Sequence, residues 1–182
     1  MLVVHVSGVS GCGKTHVVRV LNLQYSRDQV VAVDTDEFID TPSEFSGPSI
    51  DRSTSDYLAR YTRHMQTHYN RCYMDALDRK TRVLVFAGLL DNCAPTPSSP
   101  DSYVAYEPEW FEFDLRLYID APLDLVVQQR RRRNDGDQDR FEKEFIAKDL
   151  ELTRAWHLQH GYRMLSQQQV LDTLAEMLAS PE

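Results

Sequence analysis

An apolar run, Leu2-Val3-Val4-His5-Val6, leads directly into Gly8-Val9-Ser10-Gly11-Cys12-Gly13-Lys14-Thr15, and no other stretch of the chain restricts the fold as tightly. A glycine, four residues and then Gly-Lys-Thr is the spacing of a loop that wraps phosphate between a strand and a helix. Such a loop needs several backbone N–H groups converging on one anion. That requires positive φ and no side chain in the way, which Gly8, Gly11 and Gly13 supply. The spacing therefore places Gly8, Ser10, Gly11, Cys12, Gly13, Lys14, Thr15 and His16 around the phosphates of a nucleoside triphosphate. Lys14 is expected to reach the β/γ-phosphates and Thr15 to offer its hydroxyl to Mg²⁺. The following helix aims its positive N-terminus at the anion.

Strand-like runs then alternate with helical patterns. The runs are Leu2–Val6, Gln29–Val33, Arg82–Phe86, Phe113–Ile119 and a short Tyr162–Leu165. Their nearly continuous Val, Leu and Ile content predicts parallel strands covered on both faces. The helices are expected at about 14–25, 55–78, from Pro122 to the Arg130–Arg133 run, at about 139–160, and around Val170, Leu174, Met177 and Leu178. In the second, Leu58, Tyr61, Met65, Tyr69, Cys72 and Ala76 make the apolar stripe. In the fourth the stripe is read as Phe141, Phe145, Leu152 and Trp156, ending at Gly161. Five strands alternating with helices predict an α/β, three-layer fold with a five-stranded parallel sheet. Residues 40–54 and 91–109 are rich in proline, serine and threonine and read as long irregular loops. The second carries Tyr103, Tyr106 and Trp110, which suits ordering over a substrate.

The chain has 182 residues, which suits one domain spanning residues 1–182. Its net charge of −8 argues against binding along a nucleic-acid backbone, which calls for a basic face. Three scattered cysteines, Cys12, Cys72 and Cys93, fit a reducing, cytoplasmic setting. No signal-like segment or membrane-length apolar run is read from the sequence. His64 and His68 are four residues apart but lack a supporting acid, so no zinc site is assigned.

Beyond the loop, Asp34-Thr35-Asp36-Glu37 closes the second run. Carboxyl ends of strands face the ligand crevice in an open parallel sheet. Asp36 is expected to act as base toward an attacking hydroxyl and Asp34 to contact metal or substrate, with the order open to reversal. Arg130-Arg131-Arg132-Arg133 precedes Asn134-Asp135-Gly136-Asp137 and suggests a lid over residues 130–142. Helical spacing puts Arg130 and Arg133 on one side, where they would offset charge on a transferred group. Arg140 is a further candidate. Arg52 and Arg60 (with Arg63) stand near the expected acceptor pocket and would clamp a phosphate-bearing acceptor. After the third run, Ala87-Gly88-Leu89-Leu90 carries no carboxylate before Asp91. That absence disfavours a switch-type ATPase and suits a small kinase whose acid comes from the second strand.

Taken together, these residues resemble the P-loop kinases of the nucleoside and nucleoside-monophosphate kinase type. Gly8–Thr15 resembles the whole superfamily, gluconate and shikimate kinases included. Asp34-Thr35-Asp36 is similar to the paired aspartates of shikimate-kinase-type enzymes. Leu117-Tyr118-Ile119-Asp120-Ala121-Pro122-Leu123-Asp124, running on to Arg130 and Arg133, resembles the strand, helix and arginine lid of uridine kinases. Asp139-Arg140-Phe141-Glu142 is similar to a stretch of thymidylate kinases. Ala87-Gly88 departs from the Glu-Gly pair of uridine kinases, and Ala87-Gly88-Leu89 from the glycine triplet of shikimate kinases. The resemblance implies transfer of the γ-phosphoryl group of ATP, with Mg²⁺, to a small acceptor, a nucleoside or nucleotide first. A sugar acid, a shikimate-like alcohol or a polynucleotide 5′ end is the alternative acceptor. A regulatory nucleotide switch with slow hydrolysis is a rival of another class.

Overall fold

The computed structural model describes residues 1–38, 55–88, 91–93, 104–105, 111–133 and 143–179. In chain order its elements are β1 (Leu2–Ser7), α1 (Lys14–Gln24), β2 (Val30–Asp34) and a 3-10 turn (Thr35–Phe38). Next come α2 (Ser55–Asp78), β3 (Val83–Ala87), β4 (Asp91–Cys93), β5 (Val104–Ala105) and β6 (Leu115–Ile119). The last are α3 (Leu123–Arg133), α4 (Lys143–Gln159), β7 (Arg163–Leu165) and α5 (Gln167–Ala179). Five strands form one parallel sheet in the order β2-β3-β1-β6-β7. Parallel neighbours cannot be joined by a tight turn, and the helices supply the crossovers. The expected five-stranded parallel α/β architecture is the one observed.

Side chains alternate across β1 with the two-residue period of a strand. Val4 and Val6 join Val83, Val85, Leu117 and Ile119 on one face, where Val17, Val18 and Leu21 of α1 and Val170, Leu174 and Leu178 of α5 pack. Full burial of a side chain of this size contributes about 2 kcal/mol. On the other face, Val3, Leu84, Phe86 and Phe113 meet Tyr61, Met65, Tyr69 and Ala76 of α2. Thus β1 lies at the centre, covered on both sides, and its C-terminal end delivers the glycine-rich loop.

Three local features differ from the sequence reading. Strand β2 runs on through Asp34, which sits opposite Ala87 of β3. The extension fixes Asp34 at the edge of the sheet, where a loop residue would be free. Within the proline-rich segment, β4 and β5 pair antiparallel, Asp91 opposite Ala105 and Cys93 opposite Val104. The part read as wholly irregular therefore holds a small second sheet. Residues 40–54, like the lid stretch 134–142, fall outside the described residues.

The third difference concerns α4. Its buried side chains are Ile146, Asp149, Leu150, Thr153 and His157, while Phe145, Leu152 and Trp156 are half-buried. The expected apolar stripe is therefore not the inward face. The inward face is half polar, and each polar group on it is hydrogen-bonded, which offsets the cost of burial. Gly161, at φ 76°, lets the Tyr162 N–H donate back to the His157 carbonyl at 3.0 Å. That closure stops the helix and turns the chain into β7, leaving Tyr162 buried beside β1.

Candidate functional site

The loop between β1 and α1 adopts the backbone that its glycines permit. Gly8, Gly11 and Gly13 have φ of 150°, 89° and 108°. A Cβ at Gly8 would stand 2.5 Å from Cys12 Sγ, so the buried thiol fills the space beneath the loop. The Cys12 N–H donates to the Val9 carbonyl and the His16 N–H to that of Gly13. The N–H groups of Gly11, Gly13, Lys14 and Thr15 have no acceptor among the described residues. Those of Gly13, Lys14 and Thr15 are orphan donors of a helix start, the usual receptors for an anion, and that of Gly11 belongs to the loop before it. Lys14 is buried, its ammonium donating to the carbonyls of Gly8 at 2.5 Å and Val9 at 3.2 Å. Ser10 and His16 are exposed. Gln167, at the start of α5, donates to the Gly13 carbonyl at 3.0 Å and ties the last strand connection to the loop.

The end of β2 comes to the same place. Thr15 Oγ1 donates to Asp34 Oδ2 at 2.8 Å, and the Asp36 N–H donates to Asp34 Oδ1 at 3.2 Å. Asp34 is buried and Asp36 is exposed. A hydroxyl and a carboxylate within one hydrogen bond form a hard oxygen pair. Mg²⁺ typically takes one or two such protein ligands and keeps its remaining positions for water and phosphate. Thr15 and Asp34 therefore fit that ion. No cluster of three or more His, Cys, Asp or Glu suited to a metal occurs among the described residues.

Gly88 follows Ala87, the last residue of β3, in the stretch that carries no carboxylate before Asp91. A Cβ there would fall 1.6 Å from Thr35 Oγ1. Thr35 is itself buried and donates to the Ala87 carbonyl. The two strand ends are thus packed directly against each other, which leaves no room for a side chain at Gly88. On α2, Arg60 is exposed, and Tyr61 is buried. His64 Nε2–H donates to the Phe38 carbonyl at 2.6 Å, and His68 stacks on the Phe38 ring. Arg52 and Arg140 lie outside the described residues. Arg133 ends α3, and its side chain also lies outside them.

Arg130 is only 7% exposed. Its Nε donates to the Ser10 carbonyl at 2.9 Å and a terminal nitrogen to Asp149 Oδ2 at 2.5 Å. Asp149 opens a polar stripe on α4. Thr153 Oγ1 donates to the Asp149 carbonyl, and His157 Nδ1–H donates to the Thr153 carbonyl at 2.7 Å. A carbonyl can only accept, so Nδ1 carries the proton and Nε2 accepts from the Ser7 hydroxyl at 2.6 Å. His5 is fixed by the same logic. Its Nε2–H faces the Gly88 carbonyl at 3.2 Å, and Nδ1 accepts from Tyr162 O–H at 2.7 Å. Burial lowers both imidazoles, His157 to about 4 and His5 well below its ordinary value. Both are neutral at pH 7. The Tyr118 hydroxyl, packed against the His157 ring, has no hydrogen-bond partner among the described residues, and burial raises its pKa.

The sequence reading had not singled out Asp149, Thr153, His157, His5 or Ser7 for a role. One signal was present: Asp149, Thr153 and His157 recur at i, i+4 and i+8, which places them on a single helix face.

No known family model matches the chain, and no curated protein matches it. Among solved structures, the crystal structure of APE1195 is similar at 19% identity and a TM-score of 0.42. The match covers 98% of this chain and 93% of that one. No helix among the described residues is long and apolar enough to cross a membrane.

Proposed function

We propose that the chain is a P-loop small-molecule kinase, an ATP- and Mg²⁺-dependent phosphotransferase acting on a small hydroxyl or phosphate acceptor. A nucleoside or nucleotide is the leading acceptor class. The observation that carries this reading is the meeting of the loop's unpartnered N–H groups with the Thr15–Asp34 pair, 2.8 Å apart, at one end of the sheet. The N–H groups of Gly11, Gly13, Lys14 and Thr15 bind phosphate oxygens, and the Lys14 ammonium exchanges the Gly8 and Val9 carbonyls for the β/γ-phosphates. Thr15 and Asp34 would hold Mg²⁺, which supplies charge neutralisation between the phosphates when bound.

Asp36, exposed two residues beyond Asp34, takes the proton of the acceptor hydroxyl. As the new bond to the γ-phosphorus forms, the bond to the β–γ bridging oxygen breaks and the electron pair leaves with ADP. Arg133, at the end of α3, offsets charge on the transferred group. Arg130, which the sequence suggested as its companion over the phosphates, is read here as holding the loop from behind. Arg60, exposed on α2, and Arg52 would clamp a phosphate-bearing acceptor.

The test is ATP consumption across a panel of nucleosides, nucleotides, sugar acids and small alcohols, with Lys14→Ala as control. Acceptor-stimulated turnover that falls at least a hundredfold in Lys14→Ala is expected. Tight nucleotide binding with no acceptor-stimulated turnover would favour the regulatory switch instead.

A further inference from the structure

We infer that α4 braces the phosphate loop from behind, with Asp149 as a positioning residue that acts through Arg130 on the Ser10–Gly11 peptide. The inference rests on the nucleotide-binding reading of the loop. A trans peptide is planar, and its C=O and N–H point in opposite directions. Arg130 Nε draws the Ser10 carbonyl toward α3 at 2.9 Å, so the Gly11 N–H is turned away from α3. That N–H is one of the loop donors with no acceptor among the described residues. Its direction is therefore set by a guanidinium outside the loop.

Asp149 holds that guanidinium. Asp149 is 5% exposed and its carboxylate lies 2.5 Å from the Arg130 terminal nitrogen, with both side chains buried. A buried ion pair of this kind is a poor source of net stability, because desolvation offsets the attraction. Its geometry, however, is well defined, and removing one partner leaves the other charge uncompensated. The same helix face reaches the loop a second time. Eight residues on from Asp149, His157 accepts from Ser7, the residue just before Gly8. The stripe Asp149-Thr153-His157 thus touches the chain on both sides of Gly8, at Ser7 directly and at Ser10 through Arg130. Gly11 also packs close to α3, since a Cβ there would lie 3.3 Å from Arg130 Cγ and from the Val126 carbonyl. Loop and helix are in contact, so a change in the Arg130 side chain is felt at the peptide.

The test compares MgATP affinity by calorimetry in the wild type, Asp149→Asn, Arg130→Lys and Ile146→Val, together with the Gly11 amide resonance. Asp149→Asn removes the charge that holds Arg130. Arg130→Lys keeps a charge beside Asp149 and gives up the Nε donor to Ser10. Ile146→Val trims a buried side chain of the same helix and controls for lost packing. Both brace variants are expected to bind MgATP at least tenfold more weakly and to shift the Gly11 amide. Ile146→Val is expected to leave affinity and resonance unchanged. Wild-type affinity in both brace variants, with an unmoved Gly11 amide, would overturn the inference. Absence of MgATP binding by the wild type would overturn the proposed function, and the Gly11 resonance would still judge the brace. Should Asp149→Asn fail to fold, Arg130→Lys carries the comparison.

Discussion

The two faces of β1 are built from different chemistry. Val4 and Val6 enter an apolar layer shared with α1 and α5. Between and beyond them, His5 and Ser7 point into a layer where Tyr162 and the α4 residue His157 supply hydrogen bonds. The apolar face holds the sheet together through area removed from water, which is non-directional. On the other face Val3 joins the aromatic layer with α2, and the hydrogen bonds of His5 and Ser7 set into it add little net stability but fix directions, at Ser7 by a hydroxyl and at Gly88 by its carbonyl. One strand thus anchors the core and aligns the loop, and perturbations of the two faces should separate stability from alignment.

The largest expected effect comes from the apolar face. Leu174→Ala leaves a cavity where the side chain is fully buried and should cost about 3 kcal/mol, read as a lowered denaturant midpoint. Its MgATP affinity, measured where the protein is folded, should stay at the wild-type value. A comparable loss of affinity would mean that the two faces are not separable.

The polar face should respond to acid. His157 titrates near 4 in the fold and near its ordinary value of 6.5 when unfolded. Between those values the unfolded chain binds a proton that the folded chain does not. Its contribution is therefore fully present above about pH 6.5 and is lost as pH falls toward 4, up to about 3 kcal/mol. His5 adds to the loss in the same direction. Unfolding curves from pH 7 to 4 should show a steep decline in the wild type and in Leu174→Ala, and a shallower one in His157→Gln. Equal slopes in all three would place the acid sensitivity elsewhere.

The smallest effect tests whether that polar layer is fully satisfied. Tyr118→Phe removes a buried hydroxyl that has no partner among the described residues and should leave stability unchanged or raise it by about 1 kcal/mol. A loss of stability would reveal a bond that the hydroxyl makes.

The apolar half of this comparison was legible in the sequence. Continuous Val and Leu runs fixed the parallel strands, and Val170, Leu174 and Leu178 announced the inward face of α5. The loop was legible because glycine spacing leaves few alternatives. The polar half was hidden by its own chemistry. Asp149, Thr153 and His157 look solvent-facing until their partners are known, and those partners lie up to 150 residues away. Apolar weight drew the reading of α4 to Phe145, Leu152 and Trp156, one side over from the buried face. The need for a glycine at Gly88 was not legible, because its cause, the Thr35 side chain, belongs to another strand end.

Calorimetric titration of the wild-type protein with MgATP at pH 7, repeated on Lys14→Ala, tests the central claim most directly. Saturable one-to-one binding that is lost or weakened at least a hundredfold in Lys14→Ala is the predicted result. No heat of binding in the wild type, or equal affinity in both proteins, would contradict it.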